Sequence, residues 1–176
     1  MGKITTLIFI LCMQFSAQTL PSGNPLSDFI FLIGEWDGTS HGVEGDGICK
    51  KYVTLGPDSN LIVSENDFSF ENSKSYPPSE KHEHRSVYSF NKEDSLLVLK
   101  VVNSEGHTTC FKEKRNSSGK DKKIFLSQKI ENGPPGLKVR RTILKLNNDS
   151  YTETLEYKYP SRDYIVWRTT TWEKIK

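Results

Sequence analysis

The feature that most constrains this chain is a succession of about ten short runs rich in β-branched and aromatic residues, each closed by an explicit turn signal. The runs are Glu35–Gly42, Asp46–Leu55, Asn60–Phe70, Glu83–Phe90, Leu96–Val102, His107–Lys114, Lys123–Ile130, Leu137–Leu146, Tyr151–Tyr159 and Tyr164–Lys174. Between them stand Gly56-Pro57-Asp58, Asn91–Asp94, Asn103–Gly106, Asn132–Gly136, Asn147–Asp149 and Pro160–Asp163. Short runs at this spacing read as an all-β sandwich or barrel. Because hairpin-length links join only neighbouring antiparallel strands, the expected topology is an up-and-down meander. The fold class is therefore all-β, an antiparallel up-and-down β-barrel of about ten strands. Its N-terminal plug is Leu26–Ile33, the one stretch that reads as a helical turn, with Ser27 or Asp28 as cap. At 176 residues one such domain accounts for the chain.

The first residues carry Lys3, the apolar run Leu7–Met13 and small Ser16 and Ala17 ahead of Gln18. That is the three-part pattern of a secretory signal, so residues 1–17 are expected to be removed and the protein to be secreted or periplasmic. Residues 18–28 then form a linker, and the barrel domain runs over 29–176. The apolar run is too short to span a membrane. Removing residues 1–17 takes away only Lys3, so the formal charge falls from +2 to +1. Nucleic acid is excluded as a partner by this balance, since phosphate binding needs a concentrated basic surface. The one basic cluster, Lys112 to Lys123 around Asn116–Gly119, reads as a solvated hairpin tip. Pro77-Pro78, inside Glu71–Lys81, marks the longest irregular connection and a candidate flap over an open end.

Period-two alternation assigns faces. In the ninth run Tyr151, Glu153, Leu155, Tyr157 and Tyr159 share one face; in the fourth, His82, His84, Ser86, Tyr88 and Phe90 do. The inner face thus mixes aromatic and polar side chains, as befits a cavity rather than a dry core. The candidate ligand-binding residues are His84, Tyr88, Arg140, Glu153 and Tyr157. His82-x-His84 places two imidazoles on one face but lacks a third ligand, so no metal is expected. Motifs of serine hydrolases, phosphate loops and zinc proteases are absent. A buried Glu153 bonded to Arg140 or Arg141 is the ordinary reading of that carboxylate. Cys49 and Cys110 fall on the second and sixth runs, four strand steps of about 4.8 Å apart, whereas a disulfide needs Cα atoms within roughly 7 Å. Two free thiols are expected.

Gly34-x-Trp36-x-Gly38-x-Ser40-x-Gly42, the strand count and the C-terminal Trp167–Trp172 together resemble the nitrobindin-like and related lipocalin-like barrels of the calycin superfamily, over roughly Phe29–Lys176. Many of these are secreted bacterial proteins of unknown function. Ser40 stands where the entry pattern has its third glycine. The resemblance implies that Trp36 packs across the closed end under a basic side chain from the last strand, for which Arg168 is the candidate. It also implies haem in some members, held by a histidine near the C-terminal strands. No histidine follows His107 here, so haem is disfavoured and no cofactor is expected. The function expected is a binding module holding a small, largely apolar molecule inside the barrel. The alternatives are an enzyme acting on such a molecule in the cavity and a protein-interaction domain with a filled core. Outer faces also allow homodimer pairing, with Trp167 and Ile165 as one such patch.

Overall fold

The computed structural model describes residues 23–70 and 81–175. The expected leader, residues 18–22 of the linker and the Pro77-Pro78 stretch lie outside the described residues. Ten strands follow a 3-10 turn, Ser27–Leu32: β1 (Gly34–Gly42), β2 (Gly47–Leu55), β3 (Leu61–Phe70), β4 (Lys81–Asn91), β5 (Leu96–Asn103), β6 (Thr108–Glu113), β7 (Lys122–Glu131), β8 (Lys138–Lys145), β9 (Ser150–Lys158) and β10 (Ile165–Lys174). Each pairs antiparallel with its sequence neighbours, and β1 closes on β10. The expected up-and-down barrel is the observed one. Closure matters physically because it leaves no strand edge to pair with another chain.

Alternation builds the interior. On β2, Cys49, Lys51 and Val53 point inward; on β8, Val139, Arg141 and Ile143 do; on β9, Tyr151 and Glu153 are buried. The 3-10 turn plugs one end with Leu26, Phe29 and Leu32, all essentially inaccessible. Phe29 meets Tyr88 at 5.3 Å and Phe125 at 6.1 Å between ring centroids. Trp36 is fully buried beside the plug, edge-on to Tyr151 at 4.8 Å, and its indole N–H donates to the Leu32 carbonyl at 2.7 Å. That bond satisfies a donor that burial would otherwise strand.

The cation over Trp36 is Lys174, with Nζ 5.3 Å from the ring centroid, and not Arg168. Barrel closure decides this. The β1–β10 register sets Trp36 opposite Lys174 and Gly42 opposite Arg168, which places Arg168 six residues further along, about 20 Å away. Gly38 sits against the Trp172 ring so closely that a Cβ there would lie 2.6 Å from the indole, so the entry glycine makes room for the aromatic core.

Cys49 and Cys110 are both free. Cys49 faces the interior, whereas Cys110 is half-buried between Lys100 and Lys129 on the adjoining strands. The β9–β10 register slips between Val166 and Arg168. This bulge leaves both Ile165 and Val166 exposed and brings Trp167 against Tyr157, rings parallel at 4.7 Å. Trp167 therefore belongs to the barrel mouth and not to an exterior patch with Ile165, because one extra residue in a strand exchanges its faces.

Candidate functional site

The interior divides into three levels. The closed third is packed solid by the plug, Trp36, Tyr88, Phe125 and Tyr151. Across the middle runs a buried charge layer. Lys51 Nζ donates to Glu153 Oε2 at 2.8 Å and to the Tyr151 hydroxyl at 2.8 Å, and lies 4.1 Å above the Trp172 ring. Arg141 Nη1 stands 3.3 Å from the other Glu153 oxygen. Trp172 Nε1 also donates to Glu153, at 3.3 Å. Burial alone would raise the Glu153 carboxyl, but the Lys51 and Arg141 charges outweigh it and hold the group at about 2. Burial pulls the Lys51 ammonium below the ordinary lysine value, with Glu153 opposing it.

Above the layer the barrel is open. A cavity of about 230 Å³ lies among apolar walls that include Phe70, Ile130, Leu137, Val139 and Leu155. Its polar groups come from several strands: His82 and His84 on β4, His107 just ahead of β6, Tyr157 on β9, and Trp167 and Arg168 on β10. Arg168 donates to Glu44 at 2.9 Å and lies 4.1 Å over the Phe68 ring. His82 Nδ1 pairs with Glu105 at the rim. Three buried atoms around the cavity have no hydrogen-bond partner among the described residues: His84 Nδ1, His107 Nδ1 and Trp167 Nε1. His84 is held well below the ordinary histidine value, first by burial and then by Arg168 and Arg141, so it is neutral near pH 7. Burial, with help from Glu44, pushes the Tyr157 phenol up to about 12. A neutral imidazole, a phenol and an indole N–H amid apolar walls could orient a bound molecule by a few directed bonds.

Of the five residues singled out as ligand-binding, the structure brings His84 and Tyr157 to the cavity. Tyr88 is instead buried against Phe29 and Phe125, and Glu153 belongs to the charge layer. Arg140 faces outward, bonded to Glu156 and stacked 4.3 Å over Tyr164. Its neighbour Arg141 is the inward arginine. The signal was present in the sequence, since Arg141 shares its period with apolar Val139 and Ile143. His107 and Trp167 escaped the sequence reading for a different reason: one enters through the β5–β6 hairpin and the other through a bulge.

A larger concavity, about 540 Å³, lies outside the barrel over β1, β2, β3 and β10 and is walled by side chains such as Asp37, Ile48, Lys50 and Glu173. Size alone would favour it. None of the buried polar atoms that lack a partner among the described residues borders it. Groups of histidine, cysteine and carboxylate able to hold a metal ion are absent among the described residues. No described helix is long and apolar enough to cross a membrane.

The chain superposes on the crystal structure of Rv2717c from M. tuberculosis with a TM-score of 0.61, at 9% sequence identity, over 86% of this chain and 97% of that one. The shared property is the barrel. At that identity the likeness carries the fold and nothing finer. No family model matches the sequence, and no curated protein does.

Proposed function

We propose that this chain is a binding module of lipocalin-like, nitrobindin-like type, exported by its N-terminal segment, that holds a small, largely apolar molecule in the barrel mouth. One observation carries the reading. Three buried polar atoms, on His84, His107 and Trp167, stand without partners among the described residues around a 230 Å³ cavity with apolar walls. Buried polar groups are ordinarily satisfied, and leaving one unmade costs about 1–3 kcal/mol. A ligand offering matching groups recovers that cost. A native mass spectrum of protein purified from its own host, without added ligand, is expected to show a retained small molecule. A bare mass, together with no thermal shift across a panel of apolar compounds, overturns the reading. Export is tested in the same preparation, since the mature protein is expected to begin near Gln18.

Haem stands outside this proposal. The cavity is below the roughly 300–1,000 Å³ of sites for drug-sized ligands, and the available imidazoles stand on β4 and before β6 rather than on the last strands. A sharp, saturable Soret band at one equivalent of hemin reverses this judgement. The enzymatic alternative rests on the His82–Glu105 pair at the rim, a base with an orienting carboxylate. The cavity wall offers no serine or cysteine beside it among the described residues, which favours binding over covalent catalysis. Ile165 and Val166 are the exposed apolar contacts through which two copies would pair, and light scattering on the purified protein measures it.

A further inference from the structure

Beneath the open cavity lies a second hollow of about 60 Å³, room for one compact polar group. It shares His84, His107, Thr109 and Tyr157 with the cavity above and has Arg141 and Phe111 in its own wall. The Arg141 side chain is only 5% exposed. Nη1 approaches Glu153 at 3.3 Å without the alignment of a hydrogen bond. Both Nε and Nη1 have no hydrogen-bond partner among the described residues.

The charge count is unbalanced. Lys51 and Arg141 share the single Glu153 carboxylate, and Lys51 holds the closer bond. Arg168 does not compete for it, being paired with Glu44. One positive charge is therefore in excess at the bottom of the mouth. Arginine keeps its proton, so an anion seated in the hollow would balance the guanidinium. His84 is neutral and adds no further cation. In the tautomer with the proton on Nδ1, each of His84 and His107 donates into the hollow, beside a guanidinium whose planar fork suits a carboxylate.

We propose that this hollow seats a carboxylate, and that the ligand of the barrel is a small monocarboxylic acid entering head first, with its apolar tail against Ile130, Leu137, Val139 and Leu155. The proposal rests on the binding reading above and narrows it to one chemical class. The head pairs with Arg141 and accepts from the two imidazoles. The tail fills the 230 Å³ cavity, which sets a short chain or a single ring as the upper size.

Calorimetric titration near neutral pH with hexanoate and hexanol as probes tests it. The acid is expected to bind about tenfold or more tightly than the alcohol, the scale of one charge-assisted hydrogen bond. Formate, a head without a tail, is expected to weaken hexanoate binding and leave hexanol binding unchanged. Arg141→Gln, checked for fold by circular dichroism, should reduce hexanoate to the affinity of hexanol. Equal affinity for acid and alcohol in the native protein overturns the carboxylate assignment and leaves the binding module standing. An acid preference that survives Arg141→Gln but disappears in Arg168→Gln also overturns it, by moving the anchor to the rim. Should Arg141→Gln fail to fold, formate competition on the native protein decides, and its absence refutes the proposal. If neither probe binds and no small molecule is retained on purification, both readings fall.

Discussion

Removing either end of the buried Lys51–Glu153 bond should have unequal consequences, and the inequality follows from charge counting. The native layer holds two cations and one anion. Glu153→Gln leaves Lys51 and Arg141 buried with no counterion between them, whereas Lys51→Met leaves Arg141 facing Glu153 in a neutral pair. Breaking a buried ion pair so that a charge is stranded costs about 3–5 kcal/mol. Loss of charge-assisted hydrogen bonds alone costs about 1.5–3 kcal/mol, and Met retains most of the lysine stem's contact with Trp172. Glu153→Gln is thus expected to be the more destabilising by about 2 kcal/mol. Acid adds a second signature. The Glu153 carboxyl is at about 2 in the folded protein against about 4.3 when unfolded, a depressed value. Its stabilisation is complete above the unfolded value and is lost as pH falls through the folded one, about 3 kcal/mol in all. Urea unfolding followed by tryptophan fluorescence, near neutrality and near pH 3, measures both arms. Glu153→Gln should abolish this acid limb, and Lys51→Met should move it to higher pH. Equal losses for the two variants, or a native acid limb in Glu153→Gln, would refute the charge counting.

Trp36→Ala empties a fully buried site beside the plug and should cost about 3–5 kcal/mol in denaturant unfolding; a loss below about 1 kcal/mol means the plug does not depend on it. Gly38→Ala drives a Cβ to 2.6 Å from the Trp172 ring and should cost about 1–3 kcal/mol, so a Tm equal to the native one contradicts the packing described. The two thiols should differ in alkylation rate: Cys110, half-exposed, reacts in the folded protein, while Cys49, buried and with its thiol pushed up to about 12, reacts only on unfolding. A mass two hydrogens lighter within one monomer refutes the assignment of both as free.

Much of the barrel is written locally. Runs of Val, Ile, Thr and aromatic residues between Gly, Pro and Asn turns determine strands and hairpins without reference to anything distant, so ten strands and their order are readable from the chain. The inner face of β9 is readable for the same reason, because strict alternation carries Tyr151, Glu153, Leu155 and Tyr157 inward together. What the sequence hides is set by contacts far apart in the chain. The partner of Trp36 depends on the β1–β10 register, which only closure fixes, and so Lys174 rather than Arg168 lies over the indole. The place of Trp167 depends on a bulge that no local residue type announces. Arg140 and Arg141 are a nearer miss, since adjacent identical residues are distinguished only by the period of Val139 and Ile143 around them.

The pairing of β1 with β10 differs from every other in the barrel by joining the first strand to the last, while the remaining nine link consecutive strands. Each hairpin closes a short loop, but this seam must wait until the intervening strands have been ordered, and its loop entropy is spent before any of its bonds are made. The seam is therefore expected to set the folding time. It also ties the end of the last strand to the start of the first: the Ile175 N–H donates to the Glu35 carbonyl at 2.9 Å. A circular permutant that links Ile175 through a short Gly/Ser tether to the residues before Leu26, and opens the chain in the Asn91–Leu96 turn at the closed end, makes this slow seam a hairpin. It should refold faster than the native order in stopped-flow measurements with a similar unfolding limb, and an unchanged refolding rate would place the barrier elsewhere. On this reasoning the order of the strands along the chain, and not only the residues that line the barrel, governs how quickly it shuts.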